Sequence, residues 1–399
     1  MQPTNQQLIK STNIKNLFLL IQKNAGISRA ALAKATHLSK ATVSVLVDEL
    51  IGRGYVIDCG TGTSLTTGRK PNTLTVNDAH NCLAVFQWHK SCLNVALVSL
   101  SGRMLYEMRI SSDRYLDYGL ITAKVFREDI EAYNPNAKIL GVCLVVPAIV
   151  DKASQGILST VLDFRVEDDV LKELRKRIPN YPIAVFNDTA CYAYAEYVHS
   201  ALEDSYFAFV NIGSGVGAVA LDHGRFFRAA NGMTTQFGHF SVDRNGPQCN
   251  CGNRGCLERM IGELYLYERS CKEGCQDLFS SKEDACFEKL GRLVAQGDKR
   301  AVKLMNALAE DTAYAISNLI SLFNPKEVVI GGKGMALGKT YLDTVGDYLN
   351  RMGFPLFMKQ VGLRFSDLNK SSALQGAARY FIDQYFTFDG EMQNNLFIG

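Results

Sequence analysis

The chain has 399 residues, of which 47% are hydrophobic and 21% are charged, a balance typical of folded globular protein and not of a disordered chain. No apolar run approaches the length of a membrane span, and the first residues lack the layout of a signal peptide, so a cytoplasmic protein without membrane insertion is predicted. The eleven cysteines lack paired spacing outside one loop, which indicates a reducing compartment and not a disulfide framework.

Charge divides unevenly along the chain. Residues 1–80 hold nine Lys and Arg against four Asp and Glu, whereas residues 81–399 hold 34 against 36. The excess of five positive charges at the front indicates a polyanion-binding head on a body that has no electrostatic preference for nucleic acid. At this length two or three domains are expected.

Three short helices are predicted in the front segment. An amphipathic stretch at 11–24 ends before Gly26, Ser28 caps a second helix at 29–35, and Ser39 caps a third. Because the apolar residues of the third helix recur at helical spacing, the three helices are expected to share one core. Those apolar residues are Val43, Leu46, Val47, Leu50 and Ile51.

A strand and a basic loop follow the third helix. The loop at 60–71 contains two adjacent basic residues and returns through a strand at 72–76, which is typical of a winged helix-turn-helix. A three-helix protein-interaction module is the alternative, but it gives the basic wing little purpose. Residues 1–80 are therefore predicted to form a DNA-binding domain with its wing and linker. The candidate DNA-contacting residues are Arg29, Ser39, Lys40, Thr42, Ser44, Val45, Arg69 and Lys70.

From residue 81 the pattern alternates between strands and helices, which predicts an α/β fold with a mixed sheet. The first three strands are separated by short turns, so an antiparallel meander is expected to open this part of the chain. The predicted strands lie at 82–88, 92–100, 103–110, 139–146, 182–186 and 207–212, and the predicted helices at 116–133, 167–178 and 189–198.

Asn187 and Asp188 stand where a buried strand ends and a helix begins. A carboxylate at a helix start is often only a cap. Polar groups that leave the carboxyl end of a central strand are also where α/β sheets bind ligands, so both interpretations stay open for these two residues alone. The glycines at 213–217 allow a tight turn and, as a lone motif, are weak evidence for a phosphate site.

One Gly-rich loop gathers an imidazole and three thiols. His239 precedes Cys249 and Cys251, which are one residue apart, and Cys256 follows after four more residues. Four such groups suffice for a closed tetrahedral zinc site, so a structural Zn²⁺ is predicted. Since Gln236 and Glu258 flank the loop, a bound metal would also hold these polar groups in place.

Together these motifs resemble the ROK family, the group of repressors, open reading frames and kinases within the actin-like ATPase-fold superfamily. The resemblance runs from about residue 11 to about residue 385, and its most specific element is the zinc signature from Gln236 to Glu258. The winged head matches the repressor branch of the family. Supporting matches are 147–151, Asn187-Asp188, the glycines at 213–217 and 323–332.

The resemblance implies an α/β fold in which the N-terminal winged helix-turn-helix precedes two actin-like lobes around a cleft. The first lobe would comprise 81–205, completed by a C-terminal helix in 371–399, and the second would comprise 206–370 with the zinc loop at 239–258. It also implies that His239 uses its second ring nitrogen on zinc. The implied sugar-binding residues are Asn187, Asp188, Gln236, His239 and Glu258.

The chain departs from the kinase members of the family at the first hairpin. Kinases carry Asp-x-Gly-Gly-Thr there, where the aspartate helps to hold magnesium and the glycines leave room for the transferred phosphate. The corresponding residues here are Gln87-Trp88-His89-Lys90-Ser91. Because phosphoryl transfer depends on positioning and charge neutralisation, the chain is predicted not to be an enzyme.

Three other departures affect ligand selection. Gln236 replaces the glutamate of the family, which removes a charge, and Ala148 adds a methyl group where a glycine is usual. Val45 stands where repressor relatives often have a basic residue, which favours a different base readout such as a thymine methyl.

The predicted function is a sugar-responsive transcriptional repressor of carbohydrate transport or catabolism genes. It would bind a pseudo-palindromic operator as a homodimer or tetramer, and a sugar in the cleft would change the angle between the lobes and lower operator affinity. Two alternatives stay open: a sugar kinase with a fused DNA-binding head, and a regulator switched by a protein partner such as a sugar-transporter domain.

Overall fold

A computed structural model of the chain describes residues 5–61, 72–90, 92–111, 117–133, 137–151, 156–165, 168–200, 206–227, 235–369, 371–388 and 396–398. Within these ranges, no helix is both long enough and apolar enough to cross a membrane.

The front of the chain folds into three helices and a small sheet of order β1-β3-β2. Its elements are α1 Asn5–Lys23, β1 Ile27–Ser28, α2 Arg29–Thr36, α3 Lys40–Gly52, β2 Val56–Thr61 and β3 Asn72–Val76. The three helices share a core, as predicted, in which Phe18, Leu32 and Val47 are fully buried. Ser28 and Ser39 cap α2 and α3 by accepting hydrogen bonds from main-chain N–H groups. The predicted tip of the wing lies outside the described residues.

The middle of the chain builds the largest sheet. Its elements are β4 Asn81–His89, β5 Cys92–Ser99, β6 Met104–Ser111, α4 Tyr118–Val125, α5 Glu131–Tyr133, β7 Lys138–Val146, β8 Ile149–Asp151, β9 Gly156–Leu158, α6 Val170–Arg177 and β10 Ile183–Asn187. The strands β4, β5 and β6 form the predicted antiparallel meander, and β4 pairs in parallel with β7. The predicted helix at 116–133 is interrupted by a π-helical turn at Phe126–Ile130, which separates α4 from α5.

The remainder of the chain adds a second sheet of order β13-β12-β11-β14-β15, in which β14 lies parallel to β11 and β15. Its elements are α7 Asp188–His199, β11 Tyr206–Ile212, β12 Val216–Asp222, β13 Arg225–Phe226, α8 Leu257–Ile261, α9 Leu266–Lys272, α10 Phe287–Ala295, α11 Lys299–Phe323, β14 Glu327–Gly331, α12 Gly338–Leu349, α13 Pro355–Met358, β15 Gly362–Phe365, α14 Ser372–Gln384 and β16 Leu396–Ile398. The C-terminal strand β16 completes the first sheet, whose order is β16-β10-β7-β4-β5-β6.

The described residues group into two compact units. Unit 1 comprises 1–145, 169–185 and 377–397, and unit 2 comprises 146–168, 186–376 and 398–399. The head therefore belongs to the same unit as most of the first sheet. The grouping into compact units places α7 in unit 2. The two lobes at 81–205 and 206–370 rest on the family resemblance and stay a prediction.

Several polar contacts join the head to the rest of unit 1. Asn81 donates from Nδ2 to the Gly54 carbonyl oxygen at 2.9 Å, and Asp78 accepts from the Ser101 N–H at 3.3 Å. Gln22 on α1 also donates to the main-chain oxygen of a turn residue, Leu100. These contacts tie the linker after β3 and the first helix to the first sheet.

The chain that follows α14 packs against the head through aromatic rings. The Phe388 ring lies 4.4 Å from the Phe18 ring and 5.4 Å from the Tyr55 ring, measured between centroids. Phe386 lies 5.6 Å from Tyr55, and the Arg53 side chain donates to the Phe388 carbonyl oxygen. Buried aromatic pairs of this kind contribute to stability beyond the area that they bury. The segment after α14 therefore helps to hold the head in place.

Candidate functional site

The candidate ligand site begins where β10 ends and α7 starts. Asn187 is the N-cap of α7: its Oδ1 accepts from the Ala190 N–H at 3.2 Å, and its Nδ2 donates to the Ala148 carbonyl oxygen at 3.1 Å. The carboxamide thus fastens the segment after β7 to the start of α7. Asn187 has the capping role that its sequence position allows, and it also shapes the surroundings of Asp188.

Asp188 is the first residue of α7, where the helix dipole favours a negative charge. One carboxylate oxygen, Oδ1, accepts from the Thr189 N–H at 2.7 Å, and Oδ2 lies 3.5 Å from the Asn211 Nδ2. Burial raises the pKa of Asp188 to about 6, the Thr189 hydrogen bonds oppose that shift, and the nearby Glu258 carboxylate adds to it. This carboxylate is therefore a charged hydrogen-bond acceptor at neutral pH and titrates just below it.

Glu258 supplies the second carboxylate of the site, also in unit 2. It lies on α8 and is 5% exposed. Its Oε2 accepts from the Val216 N–H at 3.1 Å and its Oε1 accepts from the Thr160 hydroxyl at 3.3 Å. A Cβ atom at Gly215 would lie 2.8 Å from Oε2, so the absence of a side chain there makes room for the carboxylate. The glycine turn at 213–217 thus serves to seat Glu258 in this chain.

Gln236 precedes a short 3₁₀ turn at Phe237–His239, and His239 is the last residue of that turn. Gln236 is exposed and His239 is half-buried. The turn sits directly on β12, because a Cβ atom at Gly238 would lie 2.0 Å from the Val216 carbonyl oxygen. Val216 thereby contacts the turn through its carbonyl and Glu258 through its N–H, so one strand residue positions both halves of the site.

The zinc loop brings its four predicted ligands together. The ligand atoms of His239, Cys249, Cys251 and Cys256 all lie within 4.8 Å of one another. The Cys249 Sγ lies 3.6 Å from the His239 Nδ1, and the Cys251 Sγ lies 3.5 Å from the Cys256 Sγ. Zn–S bonds of about 2.3 Å and Zn–N bonds of about 2.0 Å place tetrahedral ligands about 3.5–3.8 Å apart, so the donor set fits a divalent ion such as zinc.

The protonation of the thiols depends on the ion. Burial raises the pKa of both Cys249 and Cys256, so these thiols are protonated at neutral pH when no cation is bound. A coordinated thiol is deprotonated outright, so metal binding at this site releases protons. The Nδ1 of His239 faces the thiols, which leaves its Nε2 on the other side of the ring. This arrangement agrees with an imidazole that serves the metal with one nitrogen and a ligand with the other.

In the hairpin that departs from the kinase sequence, Gln87, Trp88 and His89 pack among their own neighbours in unit 1. Gln87 is fully buried, and its Oε1 accepts from the Asn94 Nδ2 at 3.3 Å. The same Nδ2 lies 3.1 Å from the His89 Nε2. Trp88 is also fully buried and donates from Nε1 to the Thr122 hydroxyl at 3.1 Å. Lys90 is exposed, and Ser91 lies outside the described residues.

The candidate DNA-contacting residues differ in their surroundings. Lys40 and Thr42 are exposed at the start of α3, Ser44 is half-buried, and the Val45 side chain is 64% exposed. The Ser39 Oγ accepts from the Thr42 N–H at 3.0 Å as the helix cap. Arg69 and Lys70 lie outside the described residues, so their predicted phosphate contacts stay a prediction.

Arg29 is bound to its own domain. Its guanidinium pairs with the Asp48 carboxylate at 2.8 Å and donates to the Ser44 carbonyl oxygen at 3.3 Å, both on α3. These contacts fix α3 against α2. The predicted DNA contact of Arg29 stays a prediction, and these intramolecular partners compete with it.

Sequence reasoning missed two residues that support the carboxylates. Asn211 on β11 is buried, and its Nδ2 lies 3.2 Å from the Thr189 Oγ1 as well as near Asp188. Thr160, the partner of Glu258, lies in the turn between β9 and α6. A polar residue inside an apolar strand such as Asn211 is the one available sequence signal, because buried polar groups require partners. Thr160 gave no comparable signal.

Comparisons with known proteins agree with these features. The family profile described as "ROK family" matches residues 90–384, and one described as "Winged helix-turn-helix DNA-binding" matches residues 10–57. A putative xylose repressor from Caldicellulosiruptor sp. (strain Rt8B.4) is 29% identical, covering 96% of this chain and 98% of that protein. The DNA-binding transcriptional dual regulator NagC of Escherichia coli (strain K12) is 26% identical, covering 93% and 92%.

Solved structures share the fold. A ROK family transcriptional regulator, described as a homolog of the E. coli MLC protein, has a TM-score of 0.79 at 22% identity and covers 96% of this chain and 97% of its own. A ROK family glucokinase from Streptomyces griseus, in complex with glucose and AMPPNP, has a TM-score of 0.62 at 20% identity and covers 74% of this chain. The chain carries a winged helix-turn-helix DNA-binding domain and belongs to the ROK family.

Proposed function

We propose that this protein is a sugar-responsive transcriptional repressor that controls genes of carbohydrate transport or catabolism in the cytoplasm. The observation that carries the proposal is the presence, on one chain, of a DNA-binding head and two hydrogen-bonded carboxylates, the half-buried Asp188 and the buried Glu258. Relatives matched over nearly their whole length are named xylose repressor and N-acetylglucosamine repressor, which supports the same assignment.

The proposed effector is a neutral carbohydrate. Asp188 and Glu258 accept hydrogen bonds, and a sugar offers an array of hydroxyl donors that suits two acceptors held in fixed positions. Asn187, Gln236 and His239 would complete the contacts. The supporting residues Asn211, Thr189 and Thr160 would hold the carboxylates without touching the sugar. Because the carboxylates are already fixed, sugar binding would not pay the entropy cost of ordering them.

The proposed cofactor is a structural zinc ion held by His239, Cys249, Cys251 and Cys256. The ion would supply no chemistry beyond clasping the loop, because all four tetrahedral positions are taken by protein ligands. Its effect would be to fix Glu258, two residues beyond Cys256, and Gln236, three residues before His239. The zinc loop would thus determine how rigid the sugar site is.

We further propose that the protein lacks kinase activity. Gln87 offers a neutral carboxamide where a kinase has a magnesium-binding carboxylate, and Asn94 already uses its oxygen. Incubation with ATP, magnesium and a panel of sugars is expected to give no turnover above a protein-free control. Steady formation of sugar phosphate would contradict this part of the proposal.

Regulation would follow from differential binding of the effector. A homodimer or tetramer would bind a pseudo-palindromic operator, and a sugar that binds the operator-free conformation more tightly would release the DNA by that difference in free energy. Unit 2 contains the carboxylates and unit 1 contains the head, so the signal has to pass from one unit to the other. The helix α14 is shared by both units and is a direct covalent route.

The test begins with operator DNA selected from random duplexes by the full chain. The selected duplex is then challenged with a panel that includes xylose, N-acetylglucosamine, other pentoses and hexoses, and release is measured by fluorescence anisotropy. One sugar class is expected to release the DNA, and Asp188→Ala is expected to lose that response while keeping its DNA affinity. Release by a purified transporter domain with every sugar inert, or an unchanged response of Asp188→Ala, would overturn the proposal.

A further inference from the structure

The exposed side of α3 carries aliphatic groups at its centre, between the charged side chains of Lys40 and Asp48. Arg, Lys, Asn and Gln are the side chains that make bidentate contacts to guanine or adenine, and the helix Lys40–Gly52 contains one of them, Lys40 at its N-terminal end. Its exposed positions Ala41 and Val45 are spaced one helical turn apart, and Val45 is 64% exposed. An exposed valine at the centre of a helix that presents its surface to a ligand has no packing reason to be apolar.

Two of the polar groups beside Val45 are already engaged, and Ser44 is half-buried. The Thr42 hydroxyl lies 2.8 Å from the Ser39 hydroxyl and belongs to the helix cap, which leaves its methyl group for an outside contact. Asp48, the next exposed residue on this side, pairs with Arg29 at 2.8 Å. The central part of the surface therefore presents methyl groups, with the charged Lys40 at its N-terminal end.

Among the base edges in the major groove, only thymine presents a methyl group, at C5. We infer that Val45, supported by Thr42 and Ala41, packs on thymine C5-methyl groups, so that this protein selects operator half-sites by methyl contacts and not by guanine or adenine hydrogen bonds. Lys40 contacts a phosphate and positions the helix without reading sequence. The inference rests on the proposed DNA binding and specifies the chemistry of the operator.

The expected size of the effect follows from the burial of one methyl group. Burying a CH₂ or CH₃ group contributes about 0.8 kcal/mol, which corresponds to about fourfold in the dissociation constant. Replacing the contacted thymine by deoxyuridine removes that methyl group and leaves the hydrogen-bonding edges unchanged. Affinity is therefore expected to fall about fourfold per half-site at that position, and to change little at flanking thymines.

The test uses the full chain and a duplex selected from random sequence. Each thymine of the selected duplex is replaced in turn by deoxyuridine, and the dissociation constant is measured by anisotropy at fixed salt for the native chain and for Val45→Ala. Because Val45 is exposed, Val45→Ala is expected to keep its thermal unfolding midpoint. Leu120→Ala, which truncates a side chain 49% exposed on α4, serves as the matched control.

A double-mutant cycle separates contact from DNA shape, because removing a methyl group also alters the stiffness of the duplex. If Val45 touches the methyl group, Val45→Ala binds the thymine and deoxyuridine duplexes equally, and Leu120→Ala retains the fourfold difference. The inference would be overturned if Val45→Ala showed the same fourfold difference between the thymine and deoxyuridine duplexes as the native chain. It would also be overturned if selection of the half-sites depended on Lys40 and guanine. Failure to select any duplex would instead overturn the proposed DNA-binding function itself.

Discussion

At the scale of single residues, Asp188 combines two properties that the sequence left undecided. It occupies a helix start, as a cap would, but Asn187 is the residue that caps α7, and the Asp188 carboxylate is held by Thr189 and Asn211. Burial raises its pKa to about 6, so its charge is stable at neutral pH and is lost under mild acid. If Asp188 accepts from sugar hydroxyls as proposed, a carboxylate with this pKa makes effector binding sensitive to pH.

We expect effector affinity to fall about tenfold between pH 7 and pH 5. The cause is protonation: with a pKa of about 6, about nine in ten Asp188 carboxylates are neutral at pH 5. Isothermal titration with the effector found by the operator-release screen measures this profile. In Asp188→Asn, affinity at pH 7 should be about 30-fold weaker and independent of pH over this range, because a charged hydrogen bond is lost.

The control for this profile is Asp277→Asn, which changes an exposed carboxylate in unit 2 and should retain the native pH dependence. A flat profile in the native chain would show that Asp188 is not an acceptor for the effector.

The raised pKa of Asp188 also affects folding stability. Since the folded state binds this proton more tightly than the unfolded state, the stability that protonated Asp188 contributes is present at low pH and is lost as pH rises through about 6.

Arg29 illustrates a residue whose role depends on partners that sequence does not reveal. Arg29→Ala is expected to lower the free energy of unfolding by about 1 kcal/mol, because one partly exposed ion pair and one main-chain hydrogen bond are lost. The slope of log affinity against log salt should stay unchanged if Arg29 only fixes α3. Lys40→Ala, in contrast, should reduce that slope by about 0.9 if it removes one phosphate contact. A reduced slope in Arg29→Ala would show that it binds DNA.

At the scale of elements, most strands and helices up to residue 212 could be predicted because their signals are local. Ser39 caps α3 as predicted, and β4, β5 and β6 form the expected meander. The cap of α7 is Asn187 and not the Asp188 carboxylate. The π-helical turn at Phe126–Ile130 was not predicted. Phe126 packs 4.8 Å from Tyr181, a residue far along the chain, and such tertiary packing leaves no trace in helical periodicity.

The zinc loop is the element whose geometry could be predicted most completely, because its four predicted ligands lie at short spacing and do converge. What could not be predicted is the way in which the loop is seated. Gly238 allows the turn to lie against the Val216 carbonyl, and Val216 also binds Glu258, a pairing that depends on the register of β12. Asn211 was missed for the same reason, since its place opposite Gly217 follows from strand pairing.

Cys251→Ser is expected to weaken zinc binding at least about 100-fold and to lower the thermal unfolding midpoint, because a ligand thiolate is replaced by a poor zinc ligand. Effector affinity should fall as well, since the loop positions Glu258. Metal content by elemental analysis, thermal melting and calorimetry measure the three effects. Cys271→Ser removes an exposed thiol outside the cluster and should match the native chain in all three. Native protein without bound transition metal would contradict the zinc assignment.

At the scale of the whole molecule, the head is bound to the first sheet at several points. Asn81, Asp78 and Gln22 fasten it from the linker side, and Phe386 and Phe388 pack on it from the other end of the chain. These long-range contacts could not be predicted, because an aromatic pair near residue 387 has no sequence feature that names its partner. They imply that the head and the first sheet move together.

Phe388→Ala is expected to lower the free energy of unfolding of unit 1 by about 3 kcal/mol, because a buried ring between Phe18 and Tyr55 is removed. DNA affinity should fall with it, since the head loses one of its supports. Hydrogen exchange of α1–α3 and anisotropy with the selected duplex measure the two effects. Phe354→Ala, at a ring 78% exposed, should change stability by less than about 0.5 kcal/mol. Unchanged exchange in α1–α3 would show that the tail does not hold the head.

The packing of Phe386 and Phe388 on Phe18 and Tyr55 constrains how specificity can be exchanged between relatives. A chimera that takes only residues 1–80 from a relative would set foreign side chains against these two rings and would replace Arg53, the donor to the Phe388 carbonyl oxygen. Grafting a new operator preference onto this body therefore requires the two ends of the gene to be transferred as a matched pair. Recombination that separates the two ends should yield proteins whose first defect is in folding and not in DNA recognition.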